Sequence, residues 1–250
     1  MVRGFYTAGS GMLSAGRILD VTAENLANAK TAGYKQDRVI TESFSDRLAV
    51  KIDSLAKEQQ KEIGTLNMGR TLNSIQTVFE EGIISHTGNP FDLAISGNGF
   101  FTLQVEDGMR LYTRNGEFGL DADGYIVNSR GARLLGENGP INTEGRLFDI
   151  SETGGVYIDG VLNDNLLIYN PVNTDNMVKH DEGLFYDMGD GEQLAFDGVI
   201  KQGYIEASNV DMIEEMMEMM KSQRSLQSCS QALKMIDDTL EKAVQLGRMI

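Results

Sequence analysis

His86 and His180 are the only imidazoles in the chain, and an imidazole beside a carboxylate or thiolate is the usual start of acid–base or metal chemistry. Neither has a Cys, Asp or Glu arrangement with zinc spacing next to it, so both read as ordinary surface or turn histidines. Ser96 in Ile95-Ser96-Gly97-Asn98-Gly99 lacks the preceding glycine of a nucleophile elbow, because position 94 is Ala. Gly97-Asn98-Gly99 has neither a third glycine nor a following helical pattern, so it is not a dinucleotide fingerprint. Asp121-Ala122-Asp123-Gly124 resembles the start of a calcium loop, but no acidic residue fills the next ligand position and Ala132 stands where a bidentate Glu belongs. A hairpin turn is the expectation there, with weak adventitious cation binding as the alternative. No catalytic, cofactor-binding or metal-ligating residue is assigned, no cofactor is expected, and the chain reads as not an enzyme.

Met212, Met216, Met217, Met219 and Met220 are five of thirteen methionines. They could form a core face, a thioether metal cluster or an adaptable interface. Metal ligation would leave the rest of their helix unexplained. Met217 and Met220 lie off the main stripe and widen it, which favours an interface with more than one neighbour. Cys229 is the only cysteine, so no intrachain disulfide can form, and it reads as a small buried apolar residue.

The elements that carry these residues fall into two kinds. Nineteen of the 28 glycines lie between Gly88 and Gly203, and none lies between Tyr204 and Leu246. In the glycine-free end, Leu226, Cys229, Leu233, Ile236, Leu240 and Ala243 recur at alternating steps of three and four, continued upstream by Met212, Met216 and Met219. That is a helical stripe. Asn209 or Ser208 can cap it, Asp211 suits its first turn, Gly247 can end it, and about 38 residues would make a rod of roughly 57 Å. At the other end Phe5, Gly9, Met12, Gly16, Leu19, Ala23 and Leu26 repeat as a heptad seam. Gly9, Gly16 and Ala23 would admit a close helix, and the glycines make a partner necessary. This helix is expected to stop near Gly33.

The middle is punctuated by Asn98-Gly99, Asp107-Gly108, Asn115-Gly116, Asp123-Gly124, Asn138-Gly139, Asp159-Gly160, Asp190-Gly191 and Asp197-Gly198, pairs that tolerate the positive φ of hairpin turns. Short strand-like runs lie between them, such as Phe101–Val105 and Leu166–Tyr169. A compact all-β domain is expected. Leu48 to Ile63 is charged enough for an exposed helix, and Gly64 and Gly69 interrupt the chain beyond it, so residues 34–81 read as a connector. The predicted fold class is α+β, a compact all-β central domain inserted between long N- and C-terminal amphipathic helices that pair as a coiled coil. The expected divisions are 1–33, an N-terminal axial helix; 34–81, the connector; 82–203, the β-rich domain; and 204–250, a C-terminal axial helix.

At 250 residues the chain can bury a real core, and 41% apolar content argues against wholesale disorder. A net charge of −15, from 37 acidic against 22 basic residues, disfavours nucleic acid and anionic lipid as partners. The start, Met1 to Thr7, has no apolar stretch or cleavage site of a secretory signal, and no window reaches the roughly 20 apolar residues of a membrane span.

Ala23-Glu24-Asn25-Leu26-Ala27-Asn28 with Thr31-Ala32-Gly33-Tyr34-Lys35 resembles the amino-terminal signature of flagellar rod and hook proteins, Ala-Asn-Asn-Leu-Ala-Asn followed by Thr-Gly-Phe-Lys. Glu24 and Tyr34 are the departures. Asp92 to Phe101 and Tyr112 to Phe118 resemble the family's β-domain landmarks, and Gln202 to Val210 with Gln223-Arg224 its carboxy-terminal pattern. Residues 45–80 and 140–180 lack landmarks. The resemblance implies export through the flagellum-specific type III apparatus and helical assembly into the axial tube of the basal body, outside the cytoplasmic membrane, which transmits torque. Copies of itself, other flagellar rod and hook proteins and the export apparatus are the implied partners, with no nucleic acid and no direct membrane insertion. It places the signature on Asn25, Leu26, Ala27, Asn28, Gly33 and Tyr34. The assembly interface is expected at Met12, Leu19, Ala23, Leu26, Met212, Met216, Met219, Leu226, Leu233, Ile236 and Leu240. Gly136 to Ile141 and the compact length look more like the proximal rod type than the distal type or the hook. A secreted calcium-binding β-rich module is the competing class, and it leaves both helical ends without a role.

Overall fold

A computed structural model of the chain describes residues 2–43, 47–51, 61–66, 70–105, 108–181, 183–189 and 191–248. Residues 52–60, Asp107 and Asp190, for which helix or turn structure is expected from sequence, lie outside these. Two compact units are formed: residues 1–26, 37–76 and 212–250 make one, and residues 27–36 with 77–211 the other.

The first unit is built on two helices, α1 (Val2–Ala27) and α2 (Met212–Arg248). α1 contains Gly4, Gly9, Gly11 and Gly16, each up to about 1 kcal/mol worse than Ala in a helix, so its stability must come from packing. α2 supplies it, and the two run antiparallel. A Cβ built on Gly4 would lie 3.4 Å from the Ile236 Cδ1, on Gly11 3.1 Å from the Cys229 Sγ, and on Gly16 3.9 Å from the Leu226 Cδ1. α1 ends at Ala27, before the expected stop at Gly33; the Thr31 N–H donates to the Asn28 carbonyl at 3.0 Å and the chain turns. Neither expected cap serves α2. The helix begins at Met212, after Asp211, and Asn209 bonds instead to Gln36 and Val78.

The described residues between 37 and 77 are strands where the sequence suggested a connector with an exposed helix. Asp37–Ser43 shares a two-stranded sheet with Arg70–Thr77. Arg47–Lys51 and Lys61–Leu66 pair antiparallel as a hairpin. Charged side chains do not forbid a two-stranded ribbon, and cross-strand pairing overrides weak local helix preference.

The second unit is the expected β structure. A nine-stranded sheet is centred on Phe100–Gln104, which pairs antiparallel with Arg110–Thr113 on one side and with Arg133–Gly136 on the other. A three-stranded sheet of Phe148–Ile150, Gly155–Ile158 and Val161–Asn165 lies in the same unit. Leu93, Ile95, Phe101, Leu103, Leu134, Val156 and Ile200 meet in one core, and Phe100, Phe185, Tyr169 and Met177 form a second cluster. Six of the eight Asn-Gly and Asp-Gly pairs carry glycine at positive φ. The exceptions use glycine for space: a Cβ on Gly116 would fall 1.6 Å from the Leu93 carbonyl oxygen. Asp121 to Gly124 forms a turn closed by the Gly124 N–H on the Asp121 carbonyl at 3.0 Å.

The fragment 77–211 is expected to fold alone, giving a strand-dominated circular dichroism spectrum and a cooperative melt. The shorter 82–203 drops the strand Tyr204–Glu206 and removes the carboxylate that faces buried Arg114. Leaving that cation unpaired should cost about 3 kcal/mol and lower the melting temperature by roughly 10 °C. Equal melting of the two fragments would show that Glu206 does not support the β unit.

Candidate assembly site

Among the described residues of the two helices the buried side chains are Ser14, Ala15, Val21, Thr22 and Asn25 of α1 and Glu215 and Ser222 of α2. Met12, Leu19, Ala23 and Leu26, the expected α1 interface, are each half-buried and sit one residue round the helix from that face. On α2 the inward line runs through Glu215, Ser222, Cys229 and Ile236 in steps of seven, flanked by half-buried Met219, Leu226 and Leu233. Met212, Met216 and Leu240 are exposed. The innermost positions therefore carry small or polar residues, which let the backbones approach, and the apolar stripes flank them.

Asn25 closes the seam at the end of α1. Its Nδ2 donates to the Asp37 carbonyl at 2.8 Å and to the Glu215 Oε1 at 3.2 Å, while its Oδ1 accepts the Asp37 N–H at 3.0 Å. One amide thus satisfies the backbone of a strand and reaches the first turns of α2. Other apolar side chains of this unit stay in solvent: Phe5, Tyr6 and Leu13 on α1, and Ile213, Met216, Met217 and Met220 on α2, with Met217 56% and Met220 52% exposed.

In the β unit the remaining signature residues lie in a polar junction. Ala32, Tyr34 and Lys35 are buried. The Gly33 N–H donates to the Glu206 carbonyl at 2.7 Å, and at φ +65° a Cβ there would lie 2.3 Å from the Arg114 carbonyl carbon. No other residue fits. The Lys35 Nζ donates at 2.6 Å to both the Glu206 Oε1 and the Glu80 carbonyl. The Arg114 Nη1 lies 3.3 Å from the other carboxylate oxygen of Glu206, its Nη2 donates to the Gly97 carbonyl at 2.8 Å, and its guanidinium sits 5.2 Å from the Phe100 ring centroid. Burial pushes the Lys35 ammonium below the usual lysine value, and Glu206 opposes that shift. Asn209 accepts the Gln36 N–H at 2.8 Å and donates to the Val78 carbonyl at 2.9 Å, which is why it does not cap α2. The Lys179 Nζ lies 4.4 Å over the Tyr34 ring and 3.2 Å from its hydroxyl. Leu26 is half-buried, Ala27 is exposed at the helix end, and Asn28 accepts the Thr31 hydroxyl at 3.2 Å. Sequence reasoning singled out neither Glu206, Arg114 nor Glu215; a carboxylate or guanidinium in an acidic chain gives no local sign of burial.

Asn25→Ala is expected to destabilise the helical unit by about 1–3 kcal/mol, because the Asp37 N–H and carbonyl lose this partner while buried. Amide exchange along α1 should accelerate while the β unit is unaffected. Unchanged exchange in α1 would remove Asn25 from the seam.

Residues 5–35 match the family described as "Flagella basal body rod protein", residues 94–158 the "Flagellar hook protein FlgE/F/G D1 domain", and residues 201–246 the "Flagellar basal body rod FlgEFG protein C-terminal". The outer two segments carry most of α1, Lys35, Glu206 and most of α2. The flagellar basal-body rod protein FlgG of Bacillus subtilis (strain 168) is 32% identical, over 99% of this chain and 100% of its own length. The flagellar hook-basal body complex protein FlhO of the same strain is 27% identical over the full length of both, and the flagellar basal-body rod protein FlgF of Caulobacter vibrioides is 29% identical over 96% of this chain and 95% of its own. With identity at this level spanning both units, the chain belongs to the family of flagellar basal-body rod and hook proteins.

Proposed function

We infer that the chain is a structural subunit of the bacterial flagellar basal-body rod, assembled with copies of itself and with other flagellar axial proteins, and that it is not an enzyme. The carrying observation is the apolar surface on the paired helices: Phe5, Leu13, Ile213, Met217 and Met220 are all more than half exposed. Apolar side chains at that density on one helix pair suit contacts with other subunits. Met12, Leu19, Ala23, Leu26, Met219, Leu226, Leu233 and Ile236 are half-buried in the subunit and would be closed over by neighbours, with the exposed Met212, Met216 and Leu240 joining them. Gly9, around which a Cβ would meet nothing within 4 Å, leaves room for a close helix from another subunit. Family membership supports export by the flagellar type III apparatus and a place in the torque-transmitting tube. The proximal position along the rod rests on the resemblance of Gly136 to Ile141 and on the compact length.

Leu233 is already half-buried in the subunit, so exposed Met220 is the cleaner probe of assembly. Met220→Asp is expected to leave the subunit soluble with an unchanged melting transition, because its side chain is 52% exposed, yet to block rod completion and abolish swimming once that face has to be desolvated. Lys221→Ala, which loses only an exposed i,i+3 pair with Glu218, is the control and should assemble. Normal basal bodies built from Met220→Asp subunits would overturn the assignment of this face.

A further inference from the structure

Lys35 is a buried cation whose socket stays charge-balanced without it. When Lys35 is seated, the Glu206 carboxylate faces two cations, Lys35 at 2.6 Å and Arg114 at 3.3 Å, with side-chain exposures of 1% for Lys35 and Glu206 and 6% for Arg114. If Lys35 left, Glu206 would keep Arg114 and the Gly82 N–H, which it accepts at 2.9 Å. If Glu206 were neutralised instead, two buried cations would lose their common carboxylate. The arrangement is therefore asymmetric: the lysine side can open at small electrostatic cost, and the glutamate side cannot. Three chain segments meet at this point. Residues 33–36 bond to 206–209 through the Gly33 and Gln36 amides, and 82–83 bond to 206–207 through the Gly82 and Ala207 amides. The segment 27–36 lies across the unit as a strap. The core residues Leu103, Leu134 and Phe101 belong to a cluster whose buried members lie between residues 93 and 200.

We propose that residues 27–36 are a releasable strap on the β unit and that seating of the Lys35 ammonium between Glu206 and the Glu80 carbonyl is its buckle. The chain then has two states, one with the segment leading out of α1 bound to the β unit and one with it free, and the sheet is intact in both. This device belongs to the fold and does not depend on the rod assignment. Burial works against the charged form of Lys35, which keeps the buckle easy to open. Arg114 is held besides by the Gly97 carbonyl and the Phe100 ring, so it stays with the β unit when the strap leaves.

Native-state amide hydrogen exchange on the full chain tests the strap. In the unmodified protein, the Gly33 and Gln36 amides should exchange through an opening that leaves the amides of Phe100–Gln104 and of Gly82 protected. Lys35→Ala should accelerate those two strap amides by at least about tenfold while exchange in Phe100–Gln104 and the melting of the β unit hold. Glu206→Gln should accelerate the core amides as well. The proposal is overturned if the strap amides exchange only with the core in the unmodified protein. It is also overturned if Lys35→Ala changes them by less than about threefold or accelerates the core equally, or if Glu206→Gln leaves the core untouched.

Discussion

A carboxylate removed from water must be given hydrogen bonds and positive charge, or its burial costs more than the fold can sustain. Glu206 meets that constraint with partners from widely separated places. Lys35 is 171 positions away, Arg114 is 92, and the Gly82 amide is 124. Each partner lies in a different segment, so satisfying one side chain fixes where the residues after α1, the residues before the strand Ile84–His86, and the turn after Thr113 must sit. A buried ion pair of this kind adds little net stability over an apolar replacement. What it contributes here is position: segments from both ends of the chain are brought to one point by charge and not by shape alone.

The helical unit answers a related constraint in another way. α1 is too rich in glycine to be a good free helix, and its innermost face carries Ser14, Thr22 and Asn25 beside Ala15 and Val21. Small side chains allow the α1 and α2 backbones to approach, and Asn25 with Glu215 fixes the register at one end. Close backbone packing along a narrow line leaves wide flanks uncovered. The exposed methionines of α2 occupy such a flank, and their unbranched, polarizable side chains suit contacts that are made only when another subunit arrives.

Both helices were legible in the sequence through their period, and the β unit through its Asp-Gly and Asn-Gly turns. The line along which the two helices meet was not legible: its buried members include Ser14, Thr22, Asn25, Glu215 and Ser222, residues that score as polar and are tolerated inside because each is small or hydrogen-bonded. The strands Asp37–Ser43 and Arg70–Thr77 were missed because they pair with each other across a long separation, and neither carries a two-residue turn to announce the other. The Lys35–Glu206–Arg114 junction was half visible: Lys35 and Glu206 both fall in stretches that resemble the family's terminal patterns, but no local feature pairs them. Gly33 alone signalled a special backbone, and a close approach to Arg114 is its reason.

Electron cryo-microscopy of the rod in isolated basal bodies tests the central claim most directly. Density for this chain should show α1 and α2 antiparallel with Gly11 against Cys229 and Asn25 against Glu215, and with Met217 and Met220 covered by helices of neighbouring subunits. Basal bodies that lack the chain, or a rod in which those methionines face open solvent, would contradict it.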